Sequence, residues 1–234
     1  MKILTMPQRS PEWHAARVGS IGGTSFGQVI SGKKNRLIYN LINEKLNGYA
    51  TEDDFISDDM QFGIDNEPTA RGLYIEKSGI NFREVGMIKS DYSDIHHASP
   101  DGLSDDNSIV LEIKCTDDGA IQLQRFFEGI ESSTVDQVTN YFVVSDEIRA
   151  VHVVSYCPYR DERPIVSFIF TRDTVIDTVK VEKEITHIDA KGVDKLKTIK
   201  VDQDYTIQDA VIEARAKIAA IEIEIDRKIQ EFTF

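Results

Sequence analysis

A short apolar segment, residues 108–114 (SIVLEIK), constrains the fold of this 234-residue chain more than any other feature. Its apolar and β-branched residues predict a strand in which Glu112 and Lys114 project from one face and Ile113 from the other. The Asp-Asp-Asn sequence just before it is typical of a turn, which would fold the preceding Asp101 back beside the strand. The segment therefore predicts two carboxylates and an amine close together.

Two carboxylates beside an ammonium group are typical of a Mg²⁺ site for phosphodiester hydrolysis. The cation polarises a phosphate and lowers the pKa of its bound water, while Lys114 can orient that water or stabilise negative charge. The alternative is a solvated strand edge, since Glu-x-Lys is common in acidic proteins and Asp-Gly is first of all a turn signal. The apolar strand and the interval from Asp101 favour the metal site.

The size and composition of the chain indicate one globular unit. At 26.4 kDa, with 41% hydrophobic residues, the chain can bury a substantial core, which predicts one domain over residues 1–234. Cys115 and Cys157 belong to no CxxC or Cys/His array, so we expect neither zinc nor a disulfide framework. The chain has no apolar run of about 18 residues and no signal-peptide core, which predicts a cytoplasmic protein without membrane contact.

The charge of the chain is unevenly distributed. The net charge is -13, but residues 1–45 hold seven Lys and Arg against two Glu, so this segment is +5 and the remainder is -18. A positive edge on an acidic body is compatible with local capture of phosphate, with binding that is strongly sensitive to salt. The alternative is a charge fluctuation without function.

The order of the predicted elements indicates an α/β fold with a mixed central sheet flanked by helices. A turn opened by Thr24 or Ser25 and ending at Ile30 accompanies the longer elements. We predict helices over 11–17, 36–46, 58–78 with an interruption at Pro68, 121–129, 134–145, 173–184 and 207–232, and strands over 85–91, 95–99, 108–114, 150–156 and 165–171.

The last predicted helix repeats apolar residues every seven positions, at Val211, Ile218, Ile225 and Phe232. Such a repeat can pair with another helix, but fewer than four clean heptads are present. We therefore expect this helix to pack on its own domain and assign it no catalytic role.

Several motifs flank the strand, and together they resemble one family. They are WHAARVGSI at 13–21, FGIDNE at 62–67 with AR at 70–71, SPDGL at 99–103, LEIKC at 111–115, and Gln137. In this order and approximate spacing, they are similar to the lambda-type viral recombination exonucleases, a branch of the PD-(D/E)xK nucleases. The resemblance covers about residues 10–157 and implies a restriction-endonuclease-like core over about 10–172, with a helical C-terminal extension over about 173–234.

The resemblance also implies roles for individual residues at the centre of the site. Asp101 and Glu112 would hold Mg²⁺, for which Mn²⁺ could substitute, together with the backbone carbonyl of Ile113, and Lys114 would assist the attacking water. Two more residues would complete the catalytic set: Glu67 at a second metal, and Gln137 lining the site from the following helix.

The same resemblance implies that Arg17 binds the 5′-terminal phosphate, with a hydroxyl from Thr24 beside it. Here the chain departs from the family, which has Ile-Thr-Ala-Ser where this chain has Ile-Gly-Gly-Thr at 21–24. We expect Trp13 to pack in the core or against the stem of Arg17, with base stacking as the alternative. His96 and His97 alternate on a strand, so at most one would face the site, and both are expected to be structural.

The implied activity is a Mg²⁺-dependent 5′ to 3′ exonuclease that degrades one strand of linear double-stranded DNA and leaves 3′ single-stranded tails for recombination. A ring-shaped homotrimer, a single-strand annealing protein as partner, and the host cytoplasm for a phage-encoded protein follow from the same resemblance. The alternatives are a PD-(D/E)xK endonuclease, a Cas4/RecB-type nuclease, and a non-catalytic DNA-binding assembly module. Two cysteines cannot supply a four-Cys iron–sulfur cluster, which disfavours the Cas4/RecB type.

Overall fold

A computed structural model of the chain describes residues 1–50, 56–188 and 194–233. Helices and strands alternate along these ranges. The helices are α1 (Pro11–Arg17), α2 (Gly23–Ile30), α3 (Lys34–Asn47), α4 (Asp58–Ser78), α5 (Gly119–Glu128), α6 (Ser132–Val144) and α7 (Ile207–Thr233). The strands are β1 (Lys2–Leu4), β2 (Phe82–Arg83), β3 (Met87–Lys89), β4 (His97–Ala98), β5 (Gly102–Ser104), β6 (Ile109–Cys115), β7 (Ala150–Tyr156), β8 (Ile165–Phe170), β9 (Val175–Ile188) and β10 (Asp194–Thr206).

The central sheet has five strands in the order β2-β5-β6-β7-β8. Strand β6 runs parallel to β7, with Glu112 level with Val153 and Lys114 level with Ser155, and the other neighbours in this sheet are antiparallel. Parallel neighbours cannot be joined by a hairpin, and α5 with α6 provides the crossover. This mixed sheet flanked by helices confirms the predicted fold class.

Strand β6 lies between two hydrophobic clusters. Val110 packs in the larger cluster with Phe142 of α6, and Leu111 packs in the smaller one with Ala70 of α4. A three-stranded sheet, β1-β3-β4, lies beside these elements and reaches α2 through a bridge between Ile21 and His96. Strand β6 is therefore covered on both faces. Its polar side chains, Glu112 and Lys114, line a cleft together with residues of α1, α4 and α6.

Helix α7 packs on its own domain, as expected. Val211, Ile218 and Ile225 are buried in the larger cluster, where α7 contacts α2, α3 and α6. The fourth position of the heptad repeat, Phe232, is 78% exposed and does not belong to the buried face of α7.

The helix predicted over 173–184 is wrong, because this stretch belongs to strand β9, which pairs antiparallel with β10. Val179 and Val181 alternate with polar residues at period two and therefore share one face of the ribbon. Val201 of β10 lies directly opposite Val181. This cross-strand pairing depends on residues distant in sequence, and local periodicity does not reveal it.

The predicted interruption of α4 at Pro68 is also wrong, because α4 continues as one helix from Asp58 to Ser78. Proline removes a single backbone donor from the helix. The face of α4 that carries Ala70 and Tyr74 is buried against the sheet, and this packing stabilises the helix on the far side of the proline.

Two further expectations concern membrane contact and cysteine chemistry. None of the helices in the described ranges is long and apolar enough to cross a membrane. Cys115 and Cys157 are both free thiols.

Candidate active site

A cleft of about 800 Å³ opens where α1, α4 and α6 meet the carboxyl end of β6. Almost all of the predicted site residues line it, although they come from elements far apart in sequence. They are Arg17, Glu67, Asp101, Glu112, Ile113, Lys114 and Gln137. The remaining one, Thr24, has its backbone in α2, while its side chain lies outside the described part of the chain.

Glu112 and Lys114 lie side by side on β6, as the period of a strand predicts. The Lys114 Nζ lies 2.7 Å from the Glu112 Oε1 and donates to the Gln137 Oε1 at 2.6 Å. Burial lowers the pKa of Lys114, but the charges of Glu112 and Asp101 outweigh this and raise it above its ordinary value. Lys114 is therefore an ammonium group at neutral pH and cannot act there as a free base.

Asp101 folds back onto β6, because its Oδ2 accepts a hydrogen bond from the backbone N–H of Ile113 at 2.6 Å. Burial of its carboxyl group raises the pKa of Asp101 well above its usual range, and the charges of Glu112 and Glu67 raise it further. The site therefore concentrates more negative charge than Lys114 offsets. Mutual repulsion of this kind is what a bound cation relieves.

The chemistry of these groups fits Mg²⁺. The cation prefers hard oxygen ligands and keeps several waters, so that one or two carboxylates are sufficient. Asp101 and Glu112 are two such carboxylates at the same end of the cleft, and Ile113 lines it as well. Across the described ranges, no group of three His, Cys, Asp or Glu side chains is arranged to hold a metal ion. A donor set for Mg²⁺ here would consist of two side chains and a backbone carbonyl.

Arg71 links the predicted second-metal residue to the centre of the site. Its buried guanidinium forms ion pairs with Glu67 and Glu84, and its Nε donates to the backbone carbonyl of Asp101 at 3.0 Å. Burial raises the pKa of Glu67, against the opposing charges of Arg71 and Arg9. No role for Arg71 was predicted from the sequence, although its spacing four residues after Glu67 on a helix places both on one face.

Tyr141 is a second residue for which the sequence analysis gave no role. It is buried, and its hydroxyl donates a hydrogen bond to the Glu112 Oε2, the oxygen not paired with Lys114. Burial raises the pKa of Tyr141 well above its ordinary value, and the charge of Glu112 raises it further, so the phenol stays neutral. Its position one helical turn after Gln137 is the signal that could have identified it.

Arg17 lies over the ring of Trp13, and both residues line the cleft. Its guanidinium carbon lies 4.2 Å from the centroid of the indole ring. Trp13 is buried, and its indole N–H donates to the carbonyl of Gly86 at 2.9 Å. The expected packing of Trp13 against Arg17 is confirmed, and at this distance the cation is attracted to the face of the indole ring.

Gly22, the first of the two glycines that depart from the family pattern, lies against a histidine. A Cβ atom at Gly22 would lie 2.5 Å from the His97 Nε2, so no larger residue fits there without displacing the ring. His97 lines the cleft and shares a hydrogen bond of 2.7 Å between its Nδ1 and the Ser20 Oγ. His96 is fully buried and bonds Asn140 instead. As expected, only one of the two histidines reaches the site.

Comparison with known proteins gives one sequence family and a set of similar folds. Residues 12–147 match the family model described as the YqaJ-like viral recombinase domain. No curated protein sequence matches the chain. The alkaline exonuclease LHK-Exo from Laribacter hongkongensis is 24% identical, with a TM-score of 0.68 over 96% of this chain and 98% of that one. Its complex with dAMP gives 22% identity, the same TM-score and the same coverage.

A phage-related exonuclease from Haemophilus somnus 129PT is 12% identical, with a TM-score of 0.50 over 91% of this chain and 96% of that one. At these identities the solved structures show a shared fold.

Proposed function

This chain belongs to the YqaJ-like viral recombinase family, and we propose that it is a Mg²⁺-dependent 5′ to 3′ exonuclease acting on linear double-stranded DNA. It would degrade one strand from an end and leave a 3′ single-stranded tail for homologous recombination. The observation that carries this proposal is the arrangement of Asp101, Glu112 and Lys114, which lie together in one cleft. The alkaline exonuclease activity named for structural relatives agrees with it.

Asp101, Glu112 and the carbonyl of Ile113 would hold the metal, with Glu67 contributing to a second one. When bound, Mg²⁺ supplies positive charge that stabilises the reacting phosphate, and Mn²⁺ would substitute. Tyr141 holds one oxygen of Glu112 in place through its hydroxyl. Asp101 is held in turn by the N–H of Ile113, so both carboxylates are oriented before substrate arrives.

Lys114 has three N–H donors, and two of them are directed at Glu112 and Gln137. The third is available to a water molecule or to a phosphate oxygen. Because Lys114 is charged, its role is to orient the water and to stabilise negative charge as the bond breaks. Gln137 acts by holding the ammonium group over the site.

Direction of digestion would come from Arg17. A terminal phosphate carries more charge than an internal diester and exposes more oxygens, which a planar guanidinium can bind through two parallel hydrogen bonds. Stacking on Trp13 reduces the freedom that Arg17 would lose on binding. The hydroxyl of Thr24 would add a further donor to this phosphate.

The proposal extends to assembly and context. We infer a homotrimer, a single-strand annealing protein as the partner that receives the 3′ tail, and action in the cytoplasm of the host cell. These inferences rest on the resemblance of the chain's motifs to the lambda-type recombination exonucleases, and no contact within the described part of the chain bears on them.

One digestion experiment tests the activity, its polarity and its metal requirement. Linear duplexes labelled at the 5′ or the 3′ end, with and without a 5′-phosphate, are incubated beside a closed circular duplex in Mg²⁺, Mn²⁺ or EDTA. We expect degradation of 5′-phosphorylated linear DNA from its 5′ end in either metal and none in EDTA. Cutting of the closed circle would instead establish an endonuclease, and degradation from the 3′ end would reverse the proposed polarity.

A further inference from the structure

Arg9 occupies a backbone conformation that normally selects glycine. Its φ is +65°, and it is the third residue of a turn closed by a hydrogen bond of 3.3 Å from the Ser10 N–H to the Pro7 carbonyl. A positive φ at that position favours Gly or Asn. Within the described ranges the other residue with a positive φ that is not glycine is Asn107, which tolerates it. An arginine here is conformationally unfavourable, and such outliers cluster at functional sites.

Side-chain hydrogen bonds hold the turn that carries Arg9 on both sides. The Gln8 Nε2 donates to the carbonyls of Val85 at 3.1 Å and Pro100 at 2.8 Å, and Pro100 immediately precedes Asp101. On the other side, the Ser10 Oγ accepts a hydrogen bond of 3.2 Å from the backbone N–H of Trp13. Ser10 thereby caps the N-terminus of the helix that ends at Arg17. The backbone of Arg9 is therefore held between Pro100, which precedes Asp101, and the helix that carries Arg17.

The side chain of Arg9 is directed into the same cleft. Arg9 is exposed, lines the cleft with Glu67 and Arg17, and forms no ion pair within the described part of the chain. Its charge acts on Glu67, although that carboxylate is already paired with Arg71. The guanidinium thus has hydrogen-bond donors available in the cleft that would receive DNA under the proposed function.

We propose that Arg9 binds a backbone phosphodiester of the DNA strand that enters the cleft. This inference rests on the proposed function, since it requires DNA in this cleft, and it adds a phosphate contact distinct from those of Arg17 and of the metal site. The planar fork of arginine matches two phosphate oxygens, which explains why arginine is present where the turn alone would favour glycine.

The test separates binding from turnover by measuring the affinity for a 5′-phosphorylated duplex in EDTA, over about 50 to 200 mM salt. Arg9→Gly suits the positive φ, so we expect thermal stability equal to or above that of the wild type. We expect its affinity at the lowest salt to fall about fivefold to tenfold, and the slope of log affinity against log salt to decrease by about 0.9. Arg9→Asn, which also tolerates this φ, should give the same loss, and Arg9→Lys should recover part of it.

Arg36→Ala is the matched control, because Arg36 belongs to the same basic segment and is exposed on α3 but does not line the cleft. We expect less than a twofold change in its affinity. Unchanged affinity and slope in both Arg9→Gly and Arg9→Asn would overturn the assignment, as would an equal loss in Arg36→Ala. A wild-type protein that binds no DNA would overturn the proposed function itself, whereas loss of the Arg9 effect alone would leave that function standing.

Discussion

The acidic and the basic residues that line the cleft are held in different ways. Glu112 is buried on a central strand, and its oxygens are held by Lys114 and Tyr141. Arg9 is exposed on a turn, and Arg17 is half-exposed on a helix of seven residues. Bond cleavage benefits from fixed charges in a low-dielectric site, whereas recognition of an incoming strand needs accessible charges. The buried acidic residues should therefore set the rate, and the exposed arginines should set substrate choice.

The largest effect should come from Glu112→Gln, which removes a charge at the reacting phosphate and leaves the shape unchanged. We expect a loss of about 10² to 10³ in the rate of digestion with the thermal stability preserved. Glu76→Gln, an exposed carboxylate on α4, is the control and should retain full activity. Combining Glu112→Gln with Lys114→Ala should cost far less than the sum of the two losses, since both act on one event. Activity within a few-fold of the wild type for Glu112→Gln would show that the buried acidic residues do not set the rate.

The second-largest effect is expected at Arg17 and should be confined to DNA with a 5′-phosphate. Arg17→Ala should slow digestion of 5′-phosphorylated duplex by about tenfold or more, because a charge-assisted hydrogen bond pair is lost. The already slow digestion of 5′-hydroxyl ends should barely change, and Arg17→Lys should restore only part of the loss. The measurement is the ratio of the rates on the two kinds of end. Equal slowing on both ends would mean that Arg17 supports the fold or general DNA contact.

A smaller effect is expected from Tyr141→Phe, which removes only the hydroxyl that holds Glu112 in place. We expect about a tenfold increase in the Mg²⁺ concentration that half-saturates digestion, because groups that orient metal ligands affect affinity on this scale. The maximal rate at saturating Mg²⁺ should change less. A metal requirement identical to that of the wild type would show that Lys114 alone orients Glu112.

The smallest effect concerns stability. Mg²⁺ at about ten times its dissociation constant should raise the melting temperature by about 3 to 5 °C, because it relieves the repulsion among buried carboxylates. Asp101→Asn removes part of that repulsion, so its melting temperature without metal should be higher than that of the wild type and respond less to Mg²⁺. Differential scanning fluorimetry with Mg²⁺ and with EDTA measures both. A wild-type protein indifferent to Mg²⁺ would count against the proposed ligands.

The sequence predicted what depends on local pattern. Glu112 and Lys114 were placed on one face because a strand has period two, and the Asp-Asp-Asn turn indicated that Asp101 would return to that strand. The roles of Arg71 and Tyr141 depend on how α4 and α6 pack against β6, which no local pattern specifies. Trp13 was correctly expected against Arg17.

The wrong prediction of a helix over 173–184 has a related cause. Its valines fit a helical period as well as a strand period, and pairing of Val181 with Val201 decided between them. The positive φ of Arg9 could not be predicted from the sequence either. A turn position that favours glycine is recognised by its glycine, and this chain has arginine there. The domain division at about residue 172 and the roles of the site residues stay predictions.

The parallel pairing of β6 with β7 also bears on biosynthesis. Lys114 is level with Ser155, and the segment between them supplies Gln137 and Tyr141. A nascent chain that ends within this crossover has the acidic motif but neither the neighbouring strand nor the helix that orients it. Under the proposed function such a truncated chain should be inactive, because its carboxylates lack the Tyr141 hydroxyl and its Lys114 lacks Gln137.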